Sequence, residues 1–374
     1  MKKTIYITNI FPLYRKSLWE KLILNNSFDL DIYFSDYNPM GIKNINTTSL
    51  DPKIQNHLKK IKNIWFFNRI IIWQKGVIKH VALGTYDNIM FLGEFQILST
   101  WIAILIAKVR GKKILLWSHG LYGNESYLKK KIRVLFYSFA QINIVYENRA
   151  KQILINEGFK SETIEVIYNS LNFNKQNLIY SKLENEENVN PINFFSNKSL
   201  QTIFFVGRIT PQKRINELLD CLALLNNKVI KYNLLIIGDG PILNKLKNEY
   251  NNFVELGWLC FYGATYDEDE LANLIFHSDL CVSPGNIGLT AIHSLTYGTS
   301  VASHSNFRNQ MPEVEIIKEG ENGFIFKENN IEDLAFKIEK FFNTKRKSKK
   351  VIRNKIVELY NPDNQLKIFK RILS

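Results

Sequence analysis

Cysteine is scarce in this chain. The 374 residues hold three, Cys221, Cys260 and Cys281, each alone on an apolar segment and without the spacing of a metal site. They are expected to be buried thiols in a reducing cytosol. Long hydrophobic runs are missing too. The longest, ILSTWIAILIA from Ile97 to Ala107, has 11 residues, short of the ~20 a membrane-spanning helix needs, and reads as a buried helix. MKKTIYITNIF starts basic, but Pro12, Tyr14 and Arg15 follow before an apolar region can form, so it does not read as a secretory signal. No repeat of fixed period and no recognised nucleic-acid motif occurs. What remains is a soluble or membrane-peripheral globular protein, and its length, about twice the ~150 residues typical of one domain, points to two.

Charge is plentiful but lopsided. Residues 1–180 carry 25 Lys+Arg against 12 Asp+Glu and residues 181–374 carry 24 against 23, which together give the net +14. One half is strongly basic and the other nearly neutral, so two faces with different partners are expected.

The first half alternates strand-like runs (TIYITNI, LDIYFS, IMFLG, KILLWSH, INIVY, IEVIYN) with helical patterns (RKSLWEKLI, LSTWIAILIAKV, SYLKKKIRVLFYSF). Strands alternating with helices imply parallel βαβ units. The polar stretch 181–200 reads as an interdomain linker. The alternation restarts at TIFFVG and continues through YNLLIIGDG, FVELG, LCVSP and SVASH, with apolar strands suited to burial on both faces. The expected organisation is a first domain over 1–180, a second over 201–355, and a last segment, 356–374, whose helix packs back on the first. The fold class is α/β: two Rossmann-like, doubly wound parallel-sheet domains facing each other across a cleft. Ligands of such sheets bind at the C-terminal ends of the strands, near helix N-termini.

Four loops of the second domain follow strands there. In VGRITPQKRI, Arg208 follows Gly207 and Lys213 stands five residues on, at a helix start. Cations there oppose the helix dipole and suit an anion held between them, such as a diphosphate; simple solvation is the alternative. In LLIIGDGP, Gly238 and Gly240 flank Asp239 in a turn that lets a ligand approach the backbone. In VELGWLCFYGATYDEDEL a strand is expected to end at Gly257. Asp267, Glu268 and Asp269 read as compensation of a helix dipole rather than as a metal site, and Asp29-Leu30-Asp31 as a strand start. In SPGNIGLTAIHSLTYGT, the backbone at Gly285, Asn286 and Gly288 would turn the amides of Ile287, Gly288 and Leu289 outward as an anion cradle. His293 lies on the helix that follows, as a core residue or facing the same cleft.

Taken in order, strand-G-R-x4-K, GDGP, YDE-x-EL, SPGNxGLTAxHSLxYGT and PEVEIIKEGENGFIF resemble the donor-binding domain of family 4 glycosyltransferases of the GT-B fold, over roughly residues 200–330. The resemblance implies that Arg208 and Lys213 grip the diphosphate of a nucleotide-sugar. It also implies a Glu pair, separated by seven residues, for the donor sugar and the ribose. Gly285 and His293 stand at those two positions here. A His can still hydrogen-bond a ribose, whereas Gly285 offers the sugar no side chain. The variant resembles bacterial surface-polysaccharide transferases.

In the first domain LLWSHGLYGNES brings His119 and Gly120 to a strand end, and the resemblance sets His119 beside the transferred sugar; a turn-stabilising His is the alternative. Arg15, after Pro12 at a helix start, suits an acceptor phosphate or plain solvation. Asn169 in VIYNSL is expected to line the cleft. Leu128, Ile132, Leu135, Phe136 and Phe139 share a helical face interleaved with Lys129, Lys130, Lys131 and Arg133, and HLKKIKNIWFF and KVRGKK add basic clusters. These suit an anionic bilayer better than nucleic acid, with plain solvated lysines as the other alternative.

The expectation is a cytoplasmic enzyme, peripheral at the inner face of the membrane. It would move a sugar from a UDP- or GDP-linked donor to a glycan or lipid-linked glycan, with retention and with no metal or other cofactor. A non-catalytic sugar-nucleotide or polysaccharide-binding protein, or a nucleotide-sugar epimerase of the same architecture, are the alternatives.

Overall fold

A computed structural model of the chain describes residues 1–37, 42–68, 70–185 and 191–374. It divides into two compact units, Met1–Asn172 with Tyr360–Ser374, and Phe173–Leu359.

The first unit is built on a seven-stranded parallel sheet of β1 (Lys2–Ile7), β2 (Phe28–Phe34), β3 (Leu58–Lys60), β6 (Asn88–Leu92), β7 (Lys113–Trp117), β8 (Ile142–Val145) and β9 (Ile164–Val166), in the order β3-β2-β1-β6-β7-β8-β9. The order reverses between β1 and β6, so the loops after those two strands diverge and leave room for a ligand. Between β3 and β6 lies an antiparallel hairpin, β4 (Lys62–Phe66) and β5 (Ile71–Lys75), which the sequence showed only as a basic-aromatic cluster. Its Asn63 and Gln74 side chains donate to the carbonyls of Asn9 and Thr8 at 2.9 and 3.0 Å and so fix the loop after β1. One face of the sheet buries Tyr6, Trp19 and Trp117 with ring centroids 5.5–5.8 Å apart. The last helix, Pro362–Leu373, closes over that face: Phe369 lies 5.3 Å from the Trp117 ring and Asn88 donates to Leu373 O at 2.9 Å.

The second unit holds a six-stranded parallel sheet of β10 (Gln201–Val206), β11 (Tyr232–Ile237), β12 (Leu259–Gly263), β13 (Leu280–Ser283), β14 (Ser300–His304) and β15 (Gly323–Phe326), in the order β12-β11-β10-β13-β14-β15. Its switch point lies between β10 and β13. All six residues of β11 are buried, and the helix Ile215–Leu225 buries Ile215, Leu218, Leu219, Cys221, Leu222 and Leu225, the 3–4 spacing of one helical face.

Three boundaries differ from the sequence reading. The helix Phe173–Asn185 groups with the second unit, not the first. The proposed linker is largely part of that unit: Ile192 and Phe195 are buried and Ser196 N donates to Gly257 O at 2.9 Å, while residues 186–190 of it lie outside the described residues. FVELG is not a strand, because Asn251–Glu255 is a helix that ends just before Gly257.

Candidate active site

At the switch point of the second unit the loops after β10 and β13 meet. Lys213 donates to the carbonyl and the side-chain oxygen of Asn286 at 2.5 and 2.9 Å, and Gly285 N donates back to Lys213 O at 3.0 Å. Burial lowers the Lys213 amine below its ordinary pKa, with nearby Glu313 opposing the shift. Arg208 is exposed and has no hydrogen bond or ion pair among the described residues. The helix Leu289–Thr296 starts here, and no partner is found among the described residues for the amides of Gly288, Leu289 and Thr290. Thr290 Oγ1 ties this helix start to Val206 O at the end of β10, at 3.1 Å.

The glycines serve the loops themselves. A Cβ on Gly238, whose φ is +146°, would lie 1.9 Å from Gly207 O; one on Gly240 would lie 2.1 Å from Ile209 O, and one on Gly285 2.0 Å from Gln212 O. No side chain fits against backbone so close, so these positions let neighbouring loops stack. That corrects the reading of Gly238 and Gly240 as an opening for a ligand. Gly285 is not simply a Glu position that lost its carboxylate either, because the Pro211–Lys213 turn fills the space a side chain would need. Two further expectations fail. Ile287 N donates to Gln310 Oε1 at 2.8 Å and is not free for an anion. Gly257 precedes β12 at the N-terminal edge of the sheet, where a Cβ would meet Ser196 Oγ at 1.8 Å, so it is remote from the loops at the other edge.

His293 faces a carboxylate. Glu268, the first residue of the helix Glu268–His277, turns inward, and its Oε1 accepts from His293 Nε2 at 2.9 Å, Tyr297 Oη at 2.7 Å and Gln176 Nε2 at 3.1 Å. Burial alone would raise the Glu268 pKa; the three donors, His293 foremost, outweigh it and hold the carboxyl down at about 2. His293 therefore donates from Nε2, and its Nδ1 has no partner among the described residues. The neighbouring acids behave as expected: Asp267 caps the helix by accepting from Asp269 N and Glu270 N at 2.8 and 3.1 Å. Asp29 and Asp31, by contrast, meet His57 Nδ1 at 3.4 and 3.0 Å, a contact their spacing did not announce.

In the first unit a cavity of ≈ 410 Å³ opens at the β1/β6 switch point, with Thr8, Asn9, Arg15, Glu94, Ser118 and His119 in its wall. Arg15 is buried and donates to Tyr146 Oη at 2.5 Å and Asn169 Oδ1 at 3.3 Å, so Arg15, Asn169 and His119 do gather in one region. Burial, reinforced by Arg15 and Arg133, lowers the His119 pKa to about 4; the ring is neutral near pH 7, and its buried Nδ1 has no partner among the described residues. Gly120 instead serves the turn: Tyr137 Oη donates to its carbonyl at 3.1 Å and Arg133 Nη2 also donates there. Glu94 escaped the sequence reading. Burial pushes its carboxyl up against the opposing pull of Arg133 and Lys129.

Arg133 also departs from expectation. It is buried and pairs with Glu125 at 3.3 Å, so it takes no part in a basic surface. Leu128, Ile132 and Leu135 are exposed beside Lys129 and Lys131, while Phe136 is buried. The helix Leu98–Val109 is only half buried: Leu98, Ile102, Leu105 and Val109 form an exposed stripe. Its Trp101 lies 4.9 Å from the Phe136 ring, which sets the two helices side by side. No helix among the described residues is long and apolar enough to cross a membrane.

Residues 186–357 match the family model of Glycosyl transferases group 1. Over 96 residues the chain is 29% identical to a GDP-mannose-dependent alpha-(1-6)-phosphatidylinositol dimannoside mannosyltransferase of Mycobacterium tuberculosis, covering 25% of this chain and 24% of that one; the match spans about a quarter of that relative's length. Two solved structures align along almost the whole chain. The lipopolysaccharide outer core galactosyltransferase WaaB in its apo form does so with a TM-score of 0.70 and 16% identity over 99% of each chain. Anabaena Alr3699/HepE in complex with UDP does so with a TM-score of 0.70 and 15% identity over 100% of this chain and 99% of that one. The chain therefore has the two-domain GT-B fold, and residues 186–357 of its second unit are similar to the Glycosyl transferases group 1 domain.

Proposed function

We propose that this protein transfers a sugar from a nucleoside-diphosphate sugar to a hydroxyl of a glycan or lipid-linked glycan, in the making of a bacterial surface polysaccharide. The observation that carries the reading is the grouping at one switch point of Arg208, the ammonium of Lys213 and the amides of Gly288, Leu289 and Thr290, with Arg208 and these amides unpartnered among the described residues. Such a group suits a diphosphate, whose charge grows as it leaves. Preorganised donors of this kind each lower the barrier by ~3–4 kcal/mol. His293, with Nε2 committed to Glu268, would present Nδ1 to a ribose hydroxyl. The acceptor proton would pass to the departing phosphate oxygen, with neutral His119 positioning the reacting groups. Retention of configuration and independence of metal come with the family resemblance. Uridine and guanosine donors both fit, given the GDP-mannose named for one relative and the UDP named for one structural neighbour.

The exposed stripes of the helices Leu98–Val109 and Tyr127–Tyr137, flanked by lysines, suit the anionic inner surface of a membrane; cosedimentation with anionic but not zwitterionic vesicles tests that. The donor reading is tested by thermal shift with UDP, GDP, CDP and ADP, since a ligand bound only to the folded state raises its melting temperature. One base should stand out. No shift with any of the four would end the reading.

A further inference from the structure

We propose that the cavity of the first unit is an acceptor subsite for a sugar bearing an anionic group, a carboxylate or a phosphate ester, and that Arg15 binds that group. The inference rests on the glycosyltransferase reading above. Arg15 is only 8% exposed, and a guanidinium so deeply buried is normally paired with an acid. This one is not. Its hydrogen-bond partners are a phenol and an amide, Tyr146 and Asn169, and among the described residues no carboxylate forms an ion pair with it. Its Nε is buried without a hydrogen-bond partner among the described residues. The rings of Trp117, Tyr14 and Tyr146 stand 4.7, 5.3 and 5.3 Å from its Cζ. Aromatic faces offset part of the lost hydration and hold the group in place, but they do not cancel a full charge.

No acidic group of the wall pairs with Arg15 among the described residues. Glu94 is the one acidic lining residue among them. Glu94 makes no ion pair among the described residues, and burial favours its uncharged form. His119, also in the wall, is neutral near pH 7. Arg15 thus lines the cavity with no carboxylate paired to it among the described residues, a place that an incoming anionic group would fill. The rest of the wall suits a sugar ring: Thr8, Asn9 and Ser118 offer hydroxyls and an amide, and Trp19 and Trp65 offer apolar faces. A volume of ≈ 410 Å³ falls within the ~300–1,000 Å³ of small-molecule sites.

The test is saturation-transfer NMR on the full chain at low salt with sodium glucuronate, glucose 6-phosphate, neutral glucose and sodium sulfate, run on the wild type, Arg15→Gln and Arg15→Lys. UDP and GDP binding is titrated separately on each. The acid sugars should bind the wild type at least tenfold more tightly than glucose. Arg15→Gln should bring them down to glucose's level, Arg15→Lys should keep part of the preference, and nucleotide affinity should stay unchanged. Glucuronate against glucose 6-phosphate tells the carboxylate from the phosphate source. The proposal falls if glucose binds as well as the acid sugars, if no acid sugar binds, or if sulfate alone binds as tightly as they do. It also falls if Arg15→Gln weakens the nucleotide instead, because the arginine then serves the donor. Because the wild-type comparison among ligands needs no variant, poor folding of Arg15→Gln leaves the test intact. A wild type that prefers acid sugars but binds no nucleoside diphosphate would overturn the donor reading and not this one.

Discussion

Glu268 Oε1 stands 2.9 Å from His293 Nε2, although a helix, a strand and a glycine-rich turn separate the two in sequence. The carboxylate that the helix Leu289–Thr296 lacks at position 293 is brought beside it from the helix Glu268–His277. Glu268 fixes which nitrogen of His293 carries the proton and which way the ring faces, as a carboxylate partner does for an imidazole ligand. Replacing Glu268 by Gln keeps the shape but removes the charge. We expect affinity for the preferred nucleoside diphosphate to fall about 10- to 150-fold, the ~1.5–3 kcal/mol of a hydrogen bond to a charged group. The wild type should favour that nucleotide over its 2′-deoxy analogue, and Glu268→Gln should lose most of the preference. Equal discrimination by both proteins in calorimetric titration would remove His293 from the ribose.

The same pair makes stability depend on pH. The Glu268 carboxyl titrates near 4.5 ordinarily and at about 2 in the folded chain, so the folded state favours its ionised form. Its contribution is fully present above about pH 4.5 and is lost as pH falls toward 2. The gap in urea midpoint between the wild type and Glu268→Gln should hold steady from pH 7 to 5 and narrow at pH 4 and 3. A gap that widens on acidification would contradict the assignment.

Gly285 offers a sharper test because intuition points the wrong way. Restoring Glu at this position looks like a repair of the family pattern. The Cβ it adds would sit 2.0 Å from Gln212 O and 2.7 Å from Lys213 Cα, both main-chain atoms that cannot swing aside. Overpacking of this kind typically costs ~1–3 kcal/mol, which in a unit of this size lowers the melting temperature by roughly 2–4 °C per kcal/mol. Gly285→Ala should already show that loss. Gly285→Glu should show more of it, together with weaker nucleotide binding, because the displaced turn carries Lys213. A Gly285→Glu protein as stable as the wild type would mean the two loops are looser than described.

How far the sequence could be read follows from the range of the forces involved. Alternating strands and helices announced two parallel sheets, because burial on both faces demands continuous apolar runs such as YNLLII. Arg208 and Lys213 were visible because cations at a helix start are locally unfavourable. What stayed hidden was set by contacts between distant segments. FVELG fits a strand as well as a helix over five residues, and only packing decides. Asp267, Glu268 and Asp269 look alike as dipole compensation, yet Asp267 caps the helix while Glu268 turns inward to His293. Glu94, alone in FLGEF, gave no spacing signal. Arg133 was grouped with Lys129, Lys130 and Lys131 as a surface cation until its pairing with Glu125 placed it inside. The glycines were noticed, but the backbones pressing on Gly238 and Gly285 belong to other loops.

Arg208 and Lys213, paired in the sequence reading as two grips on one diphosphate, differ in what they do for the fold. Arg208 is exposed and contacts nothing charged among the described residues, so truncating it leaves no orphaned group and no cavity. Lys213 joins the Pro211–Lys213 turn to Asn286 through two hydrogen bonds, and it is half-buried, so truncation removes both bonds and leaves acceptors unmet. Arg208→Ala should keep the wild-type melting temperature within about 1 °C, as surface substitutions do, and abolish the thermal shift given by the preferred nucleotide. Lys213→Ala should lose both, with the apo protein melting several degrees lower. Lys213→Arg should recover little of either, since a planar guanidinium does not reproduce an ammonium directed at a carbonyl and its neighbouring amide oxygen. If Arg208→Ala kept the nucleotide shift in full, the diphosphate would have to lie elsewhere on the second unit.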